Sequence, residues 1–141
     1  MAIWQVYVDL INAKQNGLLY YSEINDSLSE IKNFLPETKS WCTNTIQFGD
    51  LESTCLEIYV HDSGVIESIC LRLDLRYIEK EHLIVLSKFL LKHNIFIKYH
   101  DCLCESTLEV FFLIINESAA NRFIKDPEQF FLELSDKSED S

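Results

Sequence analysis

Glycine and proline are scarce in this chain, three and two among 141 residues, and Gly17, Gly49 and Gly64 stand far apart. Their isolation excludes a phosphate-cradling loop, which needs clustered glycines so that backbone N–H groups can converge on the anion. It also leaves little room for linkers, so a single domain over residues 1–134 is the expectation. Apolar runs are short and soon broken by charge, as at Lys88 and Lys92, and none approaches the roughly 20 residues that cross a bilayer. Basic residues are few: 12 Lys and Arg face 23 Asp and Glu, a net charge of −11. That balance argues against nucleic acid and anionic membranes as partners and favours a basic protein.

Other signals are missing too. The opening MAIWQVYVDLI has no basic flank and alternates like a strand, which sets the expectation of a cytoplasmic protein with no cleaved signal peptide. Five cysteines are an odd number and fall mostly inside periodic segments, so they read as free thiols rather than a disulfide framework. No glycine-flanked nucleophile elbow occurs beside His61, His82, His93 or His100, and nothing calls for a cofactor. The chain is therefore expected not to be an enzyme.

What is present is 48% hydrophobic residues, with nine Phe, six Tyr and two Trp, enough for a substantial core. The organising stretch is Thr54–Arg76. Leu56, Ile58 and Val60 alternate with Cys55, Glu57 and Tyr59, and beyond Asp62-Ser63-Gly64 the alternation resumes with Ile69, Leu71, Leu73 and Leu75 opposite Ser68, Cys70, Arg72, Asp74 and Arg76. An even-residue turn at Ser63-Gly64 places both apolar sets on one face and both polar sets on the other. Trp4–Ile11 alternates similarly and should join this sheet, with Tyr7 and Asp9 on the polar side.

The remaining segments alternate between strand and helix signals. Ile24, Leu28, Ile31 and Leu35 predict a helix over 22–35, started by Ser22 or Ser27 and stopped by Pro36. Thr45–Phe48 reads as a short strand closed by Gly49-Asp50, and Trp41 in the preceding loop as a lid on the core, with a binding anchor as the alternative. Ile78–His93 is a strong amphipathic helix capped by Asn94. Ile95–Tyr99 is a β-branched strand. A helix starting at Ser106 or Thr107 is apolar nearly all round through Ile115 and should be well buried. Residues 118–124 add a helical turn or two, Asp126-Pro127 opens a last helix, and 135–141 form a disordered acidic tail. The fold class expected is α+β: a mainly antiparallel sheet of four or five strands with helices packed on one face.

Two constellations invite chemistry. His100-x-Cys102-x-Cys104 has ligand types suited to zinc, since alternate residues of an extended strand share a face, but three ligands in so short a strand wrap a tetrahedral ion poorly, and no metal site is expected. The polar sheet face brings Glu57, Tyr59, Arg72 and Asp74 together. It reads as a solvated surface laced by Glu57–Arg72 and Asp74–Arg76 pairs, flanked by the acidic loops at Asp50, Glu52 and Asp62. A small enzyme or ligand-binding domain using the same face is the alternative. Reversing Glu57 and Asp74 to Lys is expected to weaken partner binding without unfolding the domain.

The framework Trp4-x-Val6-x-Val8-Asp9-Leu10-Ile11, with Ser40-Trp41, Phe48-Gly49-Asp50, Ile66-Glu67-Ser68-Ile69 leading to Arg72-x-Asp74-x-Arg76, Thr107-Leu108-Glu109 and Asp126-Pro127-x-x-Phe130, resembles small acidic bacterial immunity proteins of contact-dependent growth inhibition and other polymorphic toxin systems. The resemblance spans nearly the whole chain. It implies a cytosolic protein that binds a cognate, basic toxin domain, a nuclease being one kind, and blocks it. On the physical argument the partner would meet Asp50, Glu52, Glu57, Tyr59, Asp62, Arg72 and Asp74. The acids are spread along the chain: Glu133–Ser141 holds only four of them beside one lysine, a net of −3.

Overall fold

The computed structural model describes residues 2–12, 18–40 and 42–125. Trp41, the helix expected from Asp126-Pro127 and the acidic tail lie outside the described residues. Strands β1 (Gln5–Asn12), β2 (Glu37–Thr38), β3 (Thr45–Gly49), β4 (Cys55–Val60), β5 (Ile66–Asp74), β6 (Ile95–Tyr99) and β7 (Cys102–Cys104) form a seven-stranded sheet among the described residues, in the order β2-β3-β4-β5-β1-β6-β7. Every pairing is antiparallel. The α+β class with an antiparallel sheet is as the sequence predicts, although the sheet is wider than the four or five strands expected.

The two extra strands are the two edges, and both are too short to show an alternation. Pro36 ends the first helical segment, and its carbonyl accepts from the Gly49 N–H at 2.9 Å, which draws Glu37 and Thr38 onto β3. At the other edge His100 (φ 49°) and Asp101 (φ 62°) both take left-handed backbone. Positive φ at both residues of a two-residue loop is a hairpin turn whose twist matches the strands it joins, and it folds Cys102–Cys104 back on β6.

The body of the central hairpin has the register expected of it, Leu56 opposite Leu71 and Ile58 opposite Ile69. The turn is not the even-residue one, however: Val60 pairs with Ile66, which leaves an odd loop over 61–65, and a bulge at Tyr59/Val60 absorbs the difference. Val6, Val8 and Leu10 of β1 continue the same apolar face, since Val6 pairs with Leu73 and Leu10 with Ile69. Ile95 and Ile97 extend it across β6.

The helices bury their stripes in this one core. Ile24, Leu28, Ile31 and Leu35 are buried as the helical spacing predicts. The segment is not one helix, however. It runs as α1 (Tyr21–Ile24), a 3-10 turn (Asn25–Leu28) and α2 (Ser29–Lys32). Asn25, Asp26, Ser27 and Ser29 have short polar side chains that compete with the helix for backbone groups, and Ser29 Oγ donates to the Asp26 carbonyl at 3.3 Å. Neither expected serine caps it: the residue before α1 is Tyr20, and Ser27 Oγ instead accepts from Lys92 Nζ at 3.1 Å.

Helix α3 (Lys80–Lys92) buries Leu83, Leu86, Phe89 and Leu90, and Asn94 follows it at φ 55°. Helix α4 (Leu108–Glu117) starts at Thr107, whose Oγ1 accepts from the Val110 N–H at 3.4 Å. Here the sequence misleads. Phe111 and Ile114 are buried, but Phe112 and Leu113 stay 38% and 47% exposed. Successive residues turn by about 100°, so a helix in the outer layer of a two-layer fold can bury one stripe only. Helix α5 (Ala119–Lys125) closes the described chain. Among the described residues no helix is long and apolar enough to cross a membrane.

Candidate functional site

Because all the helices bury themselves on one face, the other face of the sheet keeps its polar side chains. Cross-strand pairing sets Gln47, Glu57, Cys70, Asp9, Lys98 and Leu103 in one row from β3 to β7. The next row holds Cys55, Arg72 and Tyr7.

At its middle this face is a closed network. Glu57 is only 4% exposed. One carboxylate oxygen lies 3.4 Å from Arg72 NH1, and the other accepts from the Tyr59 hydroxyl at 3.2 Å. Arg72 stands opposite Cys55, so its pair with Glu57 is a diagonal one. Burial pushes the Cys55 thiol up to about 12, with the Glu57 charge adding to it. Partial burial and the hydrogen bond to Cys70 Sγ at 3.9 Å raise the Tyr7 phenol to about 12 as well. Near neutral pH both groups hold their protons, so neither supplies a base or a nucleophile.

The end of the sheet where the start of β1 and the end of β5 meet the loop between β3 and β4 carries a different arrangement. Asp74 is fully buried, and four donors converge on it. Arg76 Nε and NH2 reach it at 3.0 and 2.9 Å, the Arg76 N–H at 3.0 Å and the Ser53 hydroxyl at 2.8 Å. Burial alone would raise this carboxyl, but the hydrogen bonds from Arg76 and Ser53 outweigh it and hold the group below its ordinary range. The same guanidinium lies 3.8 Å over the Trp4 ring and 5.0 Å from the Tyr77 ring. Trp4 Nε1 donates to the Glu52 carbonyl at 2.8 Å, and Gln5 Nε2 to the Leu51 carbonyl at 2.9 Å. The acidic loop between β3 and β4 is thus pinned by Trp4, just before β1, and by Gln5, its first residue. Within it the Glu52 N–H donates to Asp50 Oδ1 at 2.8 Å.

The seven residues expected at an interface therefore fall into three places. Asp50 and Glu52 are exposed on the pinned loop, with Asp74 buried beneath them. Glu57, Tyr59 and Arg72 form the network in the middle. Asp62 is exposed at the hairpin tip, at the far end of a six-residue strand and so about 20 Å away. The burial of Glu57 and Asp74 means that both charges are already engaged inside the fold. Reversing them to Lys would strand unpaired ammonium groups, and would report on stability rather than on binding.

Sequence reasoning missed Trp4, Arg76 and Tyr77 as a unit. The strand alternation pairs Arg76 with Asp74 alone, and the signal for the rest is an arginine beside a tyrosine at a strand end. The His100-x-Cys102-x-Cys104 spacing does not lie on one extended strand, because His100 sits in the β6–β7 turn with its Nε2 3.3 Å from the Glu117 carboxylate. Among the described residues no three His, Cys, Asp or Glu side chains come together to hold a metal ion.

Two hollows flank these features. One, of about 370 Å³, opens where β1 and β5 part, beside Tyr7, Asp9, Glu67 and Cys70. The other, of about 360 Å³, lies at the pinned corner between Phe34, Asp50, Tyr77 and His82. No protein family, curated protein or solved structure matches the chain.

Proposed function

We propose that this chain is a non-enzymatic binding protein of the cytosol that neutralises a basic protein partner, in the manner of an immunity protein acting on a cognate toxin domain. The observation that carries this reading is the pinned corner. Exposed Asp50 and Glu52 stand on a loop fixed from two sides, next to Tyr77, Trp4 and a stacked arginine, in a chain of net charge −11. Aromatic and arginine side chains on rigid supports give anchors at little entropic cost, and a strong net charge of one sign speeds encounter with a partner of the other. The alternative, a small-ligand site, draws on the hollow beside Tyr7 and Cys70. The Tyr7 hydroxyl, which keeps its proton near neutral pH, would stand there as a donor beside the Asp9 and Glu67 carboxylates, for a bound ligand or for a small enzyme using this face.

The test is co-purification with a basic domain encoded next to this reading frame, followed by titration calorimetry at several salt concentrations. Asp50→Asn, which keeps the Oδ1 acceptor of the loop, combined with Glu52→Lys is expected to weaken binding about tenfold or more and to flatten its salt dependence, with the melting temperature unchanged. Absence of binding to any such neighbour, or indifference of the double variant, overturns the reading.

A further inference from the structure

The hollow at the pinned corner has a chemistry of its own. Its aromatic wall is built from Phe34 and His82, whose rings stack at 4.3 Å with only 6° between their planes. Tyr77, 69% exposed, lines it too. Leu35 and Pro36 give it aliphatic surface, and Asp50 contributes a carboxylate. That carboxylate is held in place through its Oδ1 by the Glu52 N–H. A second carboxylate, that of Glu79, lies 3.7 Å from His82 Nε2. Arg76, the guanidinium beside Tyr77, is matched by buried Asp74. Planar aromatic surfaces, an aliphatic lining and a fixed carboxylate are what an arginine side chain needs for its guanidinium plane, its methylene stem and its charge. The same corner already packs one guanidinium on aromatic rings, that of Arg76 on Trp4 and Tyr77. At about 360 Å³ the hollow is within the size range of small-ligand sites.

We propose that this hollow is the seat for a single arginine side chain of the partner, with the guanidinium stacked on Tyr77 or the Phe34–His82 pair and hydrogen-bonded to Asp50. The proposal rests on the reading that the partner is a basic protein, and it names the contact by which that partner would be anchored.

The experiment is an amide NMR titration of the full chain with N-acetyl-arginine amide, and in parallel with N-acetyl-citrulline amide, its neutral isostere. The expected result is a saturable shift confined to residues around Phe34, Asp50, Tyr77 and His82, with the citrulline compound at least fivefold weaker. Tyr77→Ala and Asp50→Asn, both at exposed positions, should each weaken the arginine compound at least threefold while leaving the melting temperature in place. Equal response to both compounds, shifts centred elsewhere, or no saturation overturns the seat. Arginine binding here by a chain that neutralises no neighbouring basic domain keeps the seat and removes the immunity reading. Tight binding to such a domain that is indifferent to Tyr77→Ala does the reverse.

Discussion

Two glycines show how much a single residue's surroundings decide. Gly49 and Gly64 have nearly the same backbone, φ 85° and 90°. A Cβ at Gly64 would meet nothing within 4 Å, whereas at Gly49 it would lie 2.2 Å from the Thr54 carbonyl oxygen and 2.9 Å from Leu35 Cδ2. Gly64→Ala should therefore cost only the left-handed penalty, about 1 kcal/mol. Gly49→Ala must also move backbone at the pinned corner and should cost at least twice that, about 2–3 kcal/mol. Urea unfolding of the two variants checks the ranking, and equal losses would mean that the corner gives way easily. Asp74 makes a second prediction at this scale. Its carboxyl has a folded value below the ordinary 3.8, because Arg76 and Ser53 outweigh the effect of burial. A depressed folded value gives stability that is fully present above the unfolded value and is lost as pH falls through the folded one. The wild-type melting temperature should therefore fall below about pH 4. Asp74→Asn should start lower at pH 7 and show a shallower acid limb, and a limb of unchanged steepness would assign acid sensitivity to other carboxylates.

At the scale of elements, long periodic segments were legible and short ones were not. The pairing in the body of the hairpin, the β1 strand and the stripe of α3 follow from alternation and spacing repeated over many residues, whereas the sequence leaves the start of α4 between Ser106 and Thr107, and the cap is Thr107. Strands β2 and β7 are two and three residues long. They exist because Pro36 and the His100-Asp101 turn place the chain beside a neighbour, which is information about tertiary position rather than pattern. Helix α4 erred in the opposite direction, since composition counts apolar residues but not how many sides of a helix can be covered. That asymmetry is measurable. Phe111→Ala removes a fully buried ring and should cost about 3–5 kcal/mol, while Leu113→Ser, two positions on, should change stability by no more than about 0.5 kcal/mol. A large loss at Leu113 would mean that this side of α4 is covered in solution.

For the molecule as a whole, charge was the most legible property, and its placement the least. Counting acids gave the −11 and the expectation of a basic partner, and the Glu57–Arg72 and Asp74–Arg76 pairs both form. Counting could not separate acids engaged inside the fold, such as Glu57 and Asp74, from those left at the surface, such as Asp50, Glu52 and Asp62. Nor could it find the Trp4–Arg76–Tyr77 stack, which depends on two strand ends meeting, the start of β1 and the end of β5. The two populations respond oppositely to salt. Raising ionic strength from about 0.01 to about 0.1 M shortens the screening length from about 30 to about 10 Å. That relieves repulsion among surface acids, which strains the compact state, and acts far less on the buried Asp74 and Glu57 pairs. The melting temperature should therefore rise with sodium chloride over this range. Replacing exposed Asp62, Glu67 and Asp101 by their amides should raise it at low salt and flatten the dependence. A melting temperature that falls as salt is added would show that the paired charges, not the repelling ones, dominate the electrostatics of this fold.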